Sequence, residues 1–198
     1  MGGSANRGHY APRVPNLQAG SYVLGPANGT LSVHTKRTGA AAKAGHNLLF
    51  HVTSWEARLA AGPDTVSSLE LDVDATSLRV IEGTGGMQAL GDDDKANIQQ
   101  TVDDEVLKRQ AITFRSTRVQ PAPDGRGFGV QGDLTLLGTT RPLAFDVTVG
   151  DAGTLAAVAV VKQSDWGMKP YTALFGALKV VDEVEVEIDV HLPEPQSL

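Results

Sequence analysis

The sequence predicts an all-β protein, an antiparallel β-barrel of about eight strands with one helix at 92–110. Apolar and polar residues alternate through many short stretches, and turn sequences rich in glycine, proline and aspartate separate these stretches. A period of two places successive side chains on opposite faces of a half-buried strand. Many strands joined by short turns favour an antiparallel meander, which closes into a barrel when that removes its exposed edges.

The predicted strands are, in chain order, 22–25, 30–35, 47–60, 68–75, 112–120, 128–136, 142–149, 155–163 and 183–192. Alternation is clearest in SLELDVDA (68–75) and EVEVEIDVHL (183–192). Gly132 interrupts the strand at 128–136 and predicts a weak point or a bulge there. The strand at 47–60 carries apolar residues on both faces, so its outer face is expected to meet the helix or a second subunit in a homodimer.

The segment DDDKANIQQTVDDEVLKRQ (92–110) has a different period. Ile98, Val102 and Val106 recur every four residues, aspartates open the segment, and basic residues close it. This pattern is typical of an amphipathic helix whose charges complement its dipole. We expect this helix to pack on or across one end of the barrel.

Composition limits the classes of function. The chain of 198 residues suits one domain, predicted at 20–193, with a disordered tail at 1–19 and a short tail at 194–198. A formal net charge of −6 without a basic cluster argues against nucleic acid as a partner. The sequence holds no cysteine and no long apolar run, so neither disulfides nor a membrane-spanning helix is expected. No export signal is recognisable, which predicts a cytoplasmic protein unless a signal was trimmed from a periplasmic or secreted one.

The chain offers little catalytic chemistry. Its five histidines have no metal-binding spacing, and no GxSxG nucleophile motif is present, so no enzyme activity, metal or cofactor is predicted. His46 follows Gly45 at the start of a strand, where it either caps a turn or donates to the polar end of a ligand. Two alternatives stay open: an enzyme acting on a lipophilic substrate through His46 and Asp165, and a haem-binding barrel with His46 or His51 as axial ligand.

The segment QSDWGMKPYTALFGAL (163–178) holds bulky apolar side chains but is broken by Pro170 and two glycines. Such a segment cannot form one long strand or helix. Trp166 and Phe175 are expected either to fold over a pore mouth and contact a ligand, or to plug the barrel end as ordinary core.

Several stretches in a fixed order resemble one known family. GHNLLFHVTSWEARL (45–59) and LELDVDATSLRV (69–80) precede the glycine-rich loop and acidic helix, and ITFRSTRV (112–119), VQGDLTLLGTTRPLAFDV (130–147), QSDWGMKPY (163–171) and DEVEVEIDV (182–190) follow them. This arrangement, over roughly residues 20 to 193, is similar to that of the YceI-like family. The resemblance implies a lipocalin-like barrel around a long apolar pore that holds polyisoprenoids, quinone-like molecules or other lipids.

The expected function is therefore non-catalytic binding, transport or sequestration of a long apolar small molecule. A barrel of about eight strands holds either a packed core or one small ligand, and small inward residues such as Ala157 and Ala159 favour the second. A filled barrel that binds no small molecule is the remaining alternative. The ligand contacts we expect are His46, Phe50, Leu71, Phe114, Leu136, Phe145, Trp166, Met168 and Phe175.

Overall fold

The structure is a computed structural model that describes residues 17–63, 65–150 and 152–196. Its strands are β1 (Gly20–Leu24), β2 (Gly29–Thr35), β3 (Arg37–Thr38), β4 (Asn47–Val52), β5 (Trp55–Ala61), β6 (Val66–Val73), β7 (Leu78–Thr84), β8 (Ile112–Pro121), β9 (Gly127–Leu136), β10 (Thr139–Val149), β11 (Thr154–Lys162), β12 (Thr172–Ala173), β13 (Leu178–Val180) and β14 (Glu183–His191). The strands pair in antiparallel fashion, and the predicted all-β class is confirmed. The predicted tail at 1–19 lies outside the described residues except for 17–19, as do residues 197 and 198 of the predicted C-terminal tail.

The main sheet has eleven strands in the order β1-β5-β6-β8-β9-β10-β11-β14-β2-β4-β7, more than the predicted count of about eight. The difference arises because three long strands are interrupted: β1 continues into β2, β4 into β5, and β6 into β7, each after a short break. If each such pair counts as one strand, about eight strands follow one another around the sheet, since β14 pairs with β2 and β6 pairs with β8. The sheet therefore curls strongly around one interior.

The break between β4 and β5 changes which side chains point inward. Thr53 and Ser54 leave the sheet to bond across to the turn before β7, with Thr53 N donating to Ser77 O (2.9 Å) and Asp74 N donating to Ser54 O (3.1 Å). The two-residue interruption shifts the phase, so Phe50 is buried before it and Leu59 after it. The prediction of one strand at 47–60 with two apolar faces is wrong for this reason, and so is the outer apolar face on which the homodimer expectation rested.

The expected irregularity at Gly132 is present, but the bulge lies in the neighbouring strand. The pairing of β8 with β9 shifts register between Ser116 and Arg118, opposite Gly132. A Cβ atom at Gly132 would lie 2.5 Å from the ring of Phe114. The glycine therefore makes room for an inward-facing aromatic ring.

The predicted helix is present but ends earlier than expected. Helix α1 (Asp92–Thr101) continues into a π-helical turn (Val102–Val106), and Lys108 and Arg109 then adopt positive φ values of 50° and 56°. Gly91 N donates to the Asp94 carboxylate (3.0 Å), which fixes the first turn. Helix α1 lies along β7, where Lys95 Nζ donates to the carbonyl of Ile81 (3.1 Å). The helix therefore covers the edge of β7 that no strand in the described residues pairs with. Among the described residues, no helix is long and apolar enough to cross a membrane.

Three connections meet at one end of the barrel, which we call the mouth. Segment 36–46 joins β2 to β4, segment 83–91 leads from the end of β7 into α1, and segment 166–181 lies between β11 and β14. We call these three the rim segments. They share one end because Thr35 pairs with Leu48, Asn47 with Thr84, and Lys162 with Glu183. A small second sheet, β12-β13-β3, links two of them.

Candidate functional site: an apolar cavity inside the barrel

The interior of the barrel encloses a cavity of about 600 Å³. Strands around the whole barrel contribute apolar side chains to its wall, including Leu31 on β2, Val147 on β10 and Ile188 on β14. The volume lies within the range of roughly 300–1,000 Å³ that is typical of small-molecule sites. Walls of this kind favour apolar molecules over ordered water.

Seven of the nine predicted contact residues line this cavity: His46, Phe50, Leu71, Phe114, Leu136, Phe145 and Met168. Phe114 and Phe145 form a pair inside it, with ring centroids 5.4 Å apart and the planes inclined by 53°. Ala157 and Ala159, the small residues expected to leave space, also line the wall. These residues come from six strands and two rim segments, and in the strands the alternation pattern identified the inward faces correctly.

Trp166 lies behind the wall and is not among the lining residues. Its indole is 4% exposed, and Nε1 donates to the carbonyl of Leu134 (2.9 Å). Trp166 belongs to a short 3₁₀ turn (Gln163–Trp166) that follows β11, and the hydrogen bond ties this turn to β9. Trp166 therefore holds the rim in place and does not line the cavity, in contrast to the ligand contact that the sequence predicted.

Phe175 points away from the cavity and is fully exposed. It sits at the tip of a hairpin in which Thr172 pairs with Lys179 and Ala173 with Leu178. Phe175 and its neighbour Leu174 both have positive φ, 55° and 51°. The structure therefore supports neither alternative proposed for Phe175, because its ring neither lines the pore nor plugs the barrel end.

The cationic side chains that line the cavity lie at the mouth. Arg37, His46, Tyr171 and Lys179 contribute to the lining there, and no aspartate or glutamate among the described residues lines the cavity. The Arg37 guanidinium donates to the carbonyl of Gly45 and also lines the cavity. The mouth thus combines cationic side chains with an apolar interior.

His46 makes its hydrogen bond within the rim. Its Nε2 lies 2.7 Å from the carbonyl oxygen of Gln88 and therefore carries the proton. A Cβ atom at Gly86 would lie 2.2 Å from that nitrogen, so the glycine-rich loop packs directly on the imidazole. His46 thus holds segment 83–91 in place while also lining the cavity.

The residues of the two open alternatives are not brought together. Asp165 lies on the exposed 3₁₀ turn, where its carbonyl accepts from Arg141 Nε (3.2 Å), and its carboxylate makes no hydrogen bond to His46. His51 alternates with Phe50 and Val52 on β4 and lies on the opposite face from the cavity. In the described part of the chain, no three histidine, aspartate or glutamate side chains are grouped as metal ligands.

One carboxylate fixes the turn beneath the rim. Asp182 accepts from the backbone N (2.8 Å) and the hydroxyl (2.5 Å) of Ser164, and the Ser164 hydroxyl hydrogen bond is the main cause that lowers the pKa of Asp182. Beside it, Gln163 is buried and donates to the carbonyls of Val181 (3.0 Å) and Asp182 (3.3 Å). These contacts join the residues just before segment 166–181 to those at its end.

Sequence reasoning did not assign part of the lining. The helical segment completes the wall on the side where β7 pairs with only one described strand, through Ile98, Val102, Val106 and Leu107. The period-four pattern had identified three of them as an apolar face, so the signal was present. Arg37 and Lys179 had no such signal, because only the pairing of β3 with β13 brings them to the mouth.

The comparisons with known proteins agree with this geometry. A family model described as the YceI-like domain matches residues 22–192. The chain belongs to the YceI-like family. This family binds polyisoprenoid or other lipid-like ligands in a barrel. No curated protein matches the chain.

Solved structures of YceI-like fold are similar at low sequence identity. The crystal structure of Burkholderia cenocepacia BcnA has a TM-score of 0.58 and 19% identity, covering 82% of this chain and 94% of that one. A mutant of the Campylobacter jejuni YceI protein with a monobromobimane guest has a TM-score of 0.52 and 15% identity, covering 71% and 82%. At these identities the likeness supports the fold.

Proposed function

We propose that this YceI-like protein binds a long apolar molecule, a polyisoprenoid, quinone or similar lipid, inside the barrel and carries or sequesters it without chemical change. The observation that supports this most strongly is the cavity itself. It is about 600 Å³ in volume and lined mainly by aliphatic and aromatic side chains, with cationic groups at the mouth. A protein that binds no small molecule is expected to fill this space with side chains, because an unfilled cavity lowers stability.

The volume sets the size of the ligand. A methylene group occupies about as much space as a water molecule, about 30 Å³, so 600 Å³ accepts a chain of about 20 carbons. Each buried methylene contributes about 0.8 kcal/mol, and ten of them give on the order of 8 kcal/mol before the cost of association. Retention therefore needs few polar contacts, and alkyl burial alone gives broad selectivity. A longer chain would extend through the mouth.

We assign the ligand contacts to the seven predicted residues that line the cavity, together with the helical residues that complete its wall. The chain would lie between the Phe114–Phe145 pair and Leu71, and its polar end would lie at the mouth near His46 and Arg37. Since His46 Nε2 already donates to Gln88 O, Arg37 offers the more available donors to that end.

Extraction of the purified protein tests the proposal. Native mass spectrometry should show an adduct, and an organic extract should contain an apolar molecule recovered unchanged. The delipidated protein should then bind a fluorescent prenyl chain in titration. An empty extract together with no uptake of added prenyl chains would refute the proposal, and chemical conversion of the chain on incubation would point to an enzyme.

A further inference from the structure

The rim segments carry both exposed apolar side chains and cations. Phe175 is fully exposed, Leu174 is 54% exposed and Met87 is 80% exposed. They project from two of the rim segments, whose inner residues line the cavity. Bulky apolar side chains that are exposed beside a lipid-sized cavity indicate a surface that binds a membrane or another apolar partner.

The hairpin that presents Phe175 is held in place. Ala41 N donates to the carbonyl of Ala177 (2.8 Å), and Val180 N donates to that of Tyr171 (2.9 Å). Leu178 packs against Gly45, where a Cβ atom would lie 2.6 Å from the leucine side chain. These contacts fix the base of the hairpin, so the position of its exposed tip is also fixed.

The turn sequence is unusual for its conformation. Leu174, Phe175 and Gly176 have φ values of 51°, 55° and 84° in succession. Turns with positive φ at both central residues favour Asn-Gly or Gly-Gly, because a side chain with a Cβ is strained there. Two large apolar residues occupy the turn instead, at positions where they add no core contact, which indicates that the exposed side chains themselves serve a purpose.

Charge complementarity identifies the partner. The chain has 23 acidic and 17 basic residues, yet none of the acidic residues lies in a rim segment. Those segments hold five cations: Lys36, Arg37, Lys43, Lys169 and Lys179. Lys36 is paired with Glu185, whereas Lys43 and Lys169 are exposed, and neither forms an ion pair within the described part of the chain. The nearest acidic residues in the chain lie just outside the segments: Glu82, Asp92, Asp165 and Asp182.

We propose that the rim docks on the surface of an anionic phospholipid bilayer, with Phe175 and Leu174 inserted among the headgroups and Lys43 and Lys169 paired with lipid phosphates. Aromatic residues favour the membrane–water interface, and basic residues near an anionic leaflet are attracted to it. Docking in this orientation places the mouth of the cavity against the bilayer, so that an apolar chain can pass between the two without crossing water.

Vesicle binding tests this surface. Wild-type protein should sediment with phosphatidylcholine–phosphatidylglycerol vesicles, bind pure phosphatidylcholine vesicles weakly, and be released by salt. Phe175→Ser should weaken binding at least about tenfold because its buried apolar area is lost. Lys43→Glu and Lys169→Glu should each weaken it about fivefold or more. These lysines are chosen because neither lines the cavity.

Matched controls come from elsewhere on the surface. Val158→Ser removes an exposed apolar side chain from β11, and Arg126→Glu reverses a charge at the opposite end of the barrel. Neither should change vesicle binding. The new indole of Phe175→Trp should shift its emission to the blue on adding anionic vesicles, while that of Val158→Trp should not. Trp55 and Trp166 are buried and contribute a constant background.

Several results would overturn the docking proposal: no binding of wild-type protein to either vesicle, equal binding by Phe175→Ser, or loss of binding in the controls. Dimerisation of wild-type protein that Phe175→Ser abolishes would also overturn it, since a second copy would then cover the tip. A titration with a fluorescent prenyl chain in the absence of vesicles measures cavity binding alone, so it distinguishes a failure of cavity binding from a failure of membrane docking. Phe175→Ser should leave that titration unchanged, and failure of the wild-type titration would affect only the proposed ligand.

Discussion

At the scale of single residues, Trp166 shows how a large apolar side chain can support a cavity wall from behind without lining the cavity. Its indole N–H satisfies the Leu134 carbonyl behind the lining, in a site that is almost fully buried. Met168, two residues later, reaches the cavity. The two residues should therefore respond differently to substitution.

Trp166→Phe should lower the free energy of unfolding of the delipidated protein by about 1–3 kcal/mol, because a buried carbonyl loses its donor. Affinity for a prenyl chain should change little. Urea unfolding and lipid titration measure the two quantities, and Met168→Ser, which alters the lining, is the comparison expected to weaken binding. Unchanged stability with weakened binding by Trp166→Phe would show that the indole contacts ligand.

Phe175 illustrates a residue that the fold tolerates at a cost. A left-handed conformation costs an ordinary residue roughly 1–2 kcal/mol, which glycine avoids. Phe175→Gly should therefore raise the free energy of unfolding, by about 1 kcal/mol. Ala173→Gly is the matched control in the same hairpin, and it should lower stability because Ala173 is extended, with φ −132°. A loss of stability in Phe175→Gly would mean that the ring is covered in solution.

At the scale of elements, the turn after β11 depends on a carboxylate. Ser164 lowers the pKa of Asp182 by hydrogen bonding to its charged form. The resulting stabilisation is fully present above the ordinary value of 3.8 and is lost as the pH falls from there through the lowered pKa of the folded state. Asp182→Asn should therefore reduce the melting temperature at neutral pH, with a difference that disappears in acid. A constant difference at every pH would contradict this assignment.

The π-helical turn contains a carboxylate with the opposite behaviour. Asp103 is buried, its Oδ1 has no hydrogen-bond partner among the residues that the structure describes, and burial raises its pKa despite the nearby Arg109 and Arg79. The folded state then takes up a proton more readily than the unfolded chain, so the charged form weakens the fold above that raised pKa. Asp103→Asn should raise the melting temperature at neutral pH, and the gain should vanish as the pH falls below 3.8. A drop in melting temperature at neutral pH would show that the carboxylate has a partner in solution.

These elements also show where sequence reasoning succeeded and where it failed. Strict alternation in β6, β9 and β14 identified inward residues such as Leu71, Leu136 and Ile188, because a period of two leaves little freedom once one face is buried. The strand at 47–60 was misread because a two-residue break reverses the phase, and local composition does not reveal that break. The exposure of Phe175 could not be foreseen, since it depends on a turn that favours glycine or asparagine but holds leucine and phenylalanine.

At the scale of the whole molecule, the barrel separates two kinds of surface. Its interior is lined mainly by apolar side chains, while cations lie at the mouth of a protein whose net charge is −6. Long-range strand pairing forms this arrangement, so neither Arg37 nor Lys179 stood out in the sequence. The central claim is that the interior of the folded barrel is a space for a ligand rather than a packed core.

Two substitutions at neighbouring positions of β11 test that claim most directly. Ala157 lines the cavity and Ala156 faces outward, so Ala157→Phe places a ring in the proposed ligand space and Ala156→Phe places the same ring on the surface. In delipidated protein titrated with a fluorescent prenyl chain, Ala157→Phe should weaken binding at least about tenfold, a change of about 1.4 kcal/mol, and Ala156→Phe should not. Ala157→Phe should also avoid the penalty of roughly 1–3 kcal/mol for overpacking a filled core. A stability loss of that size in Ala157→Phe, with prenyl binding equal to that of Ala156→Phe, would contradict the account.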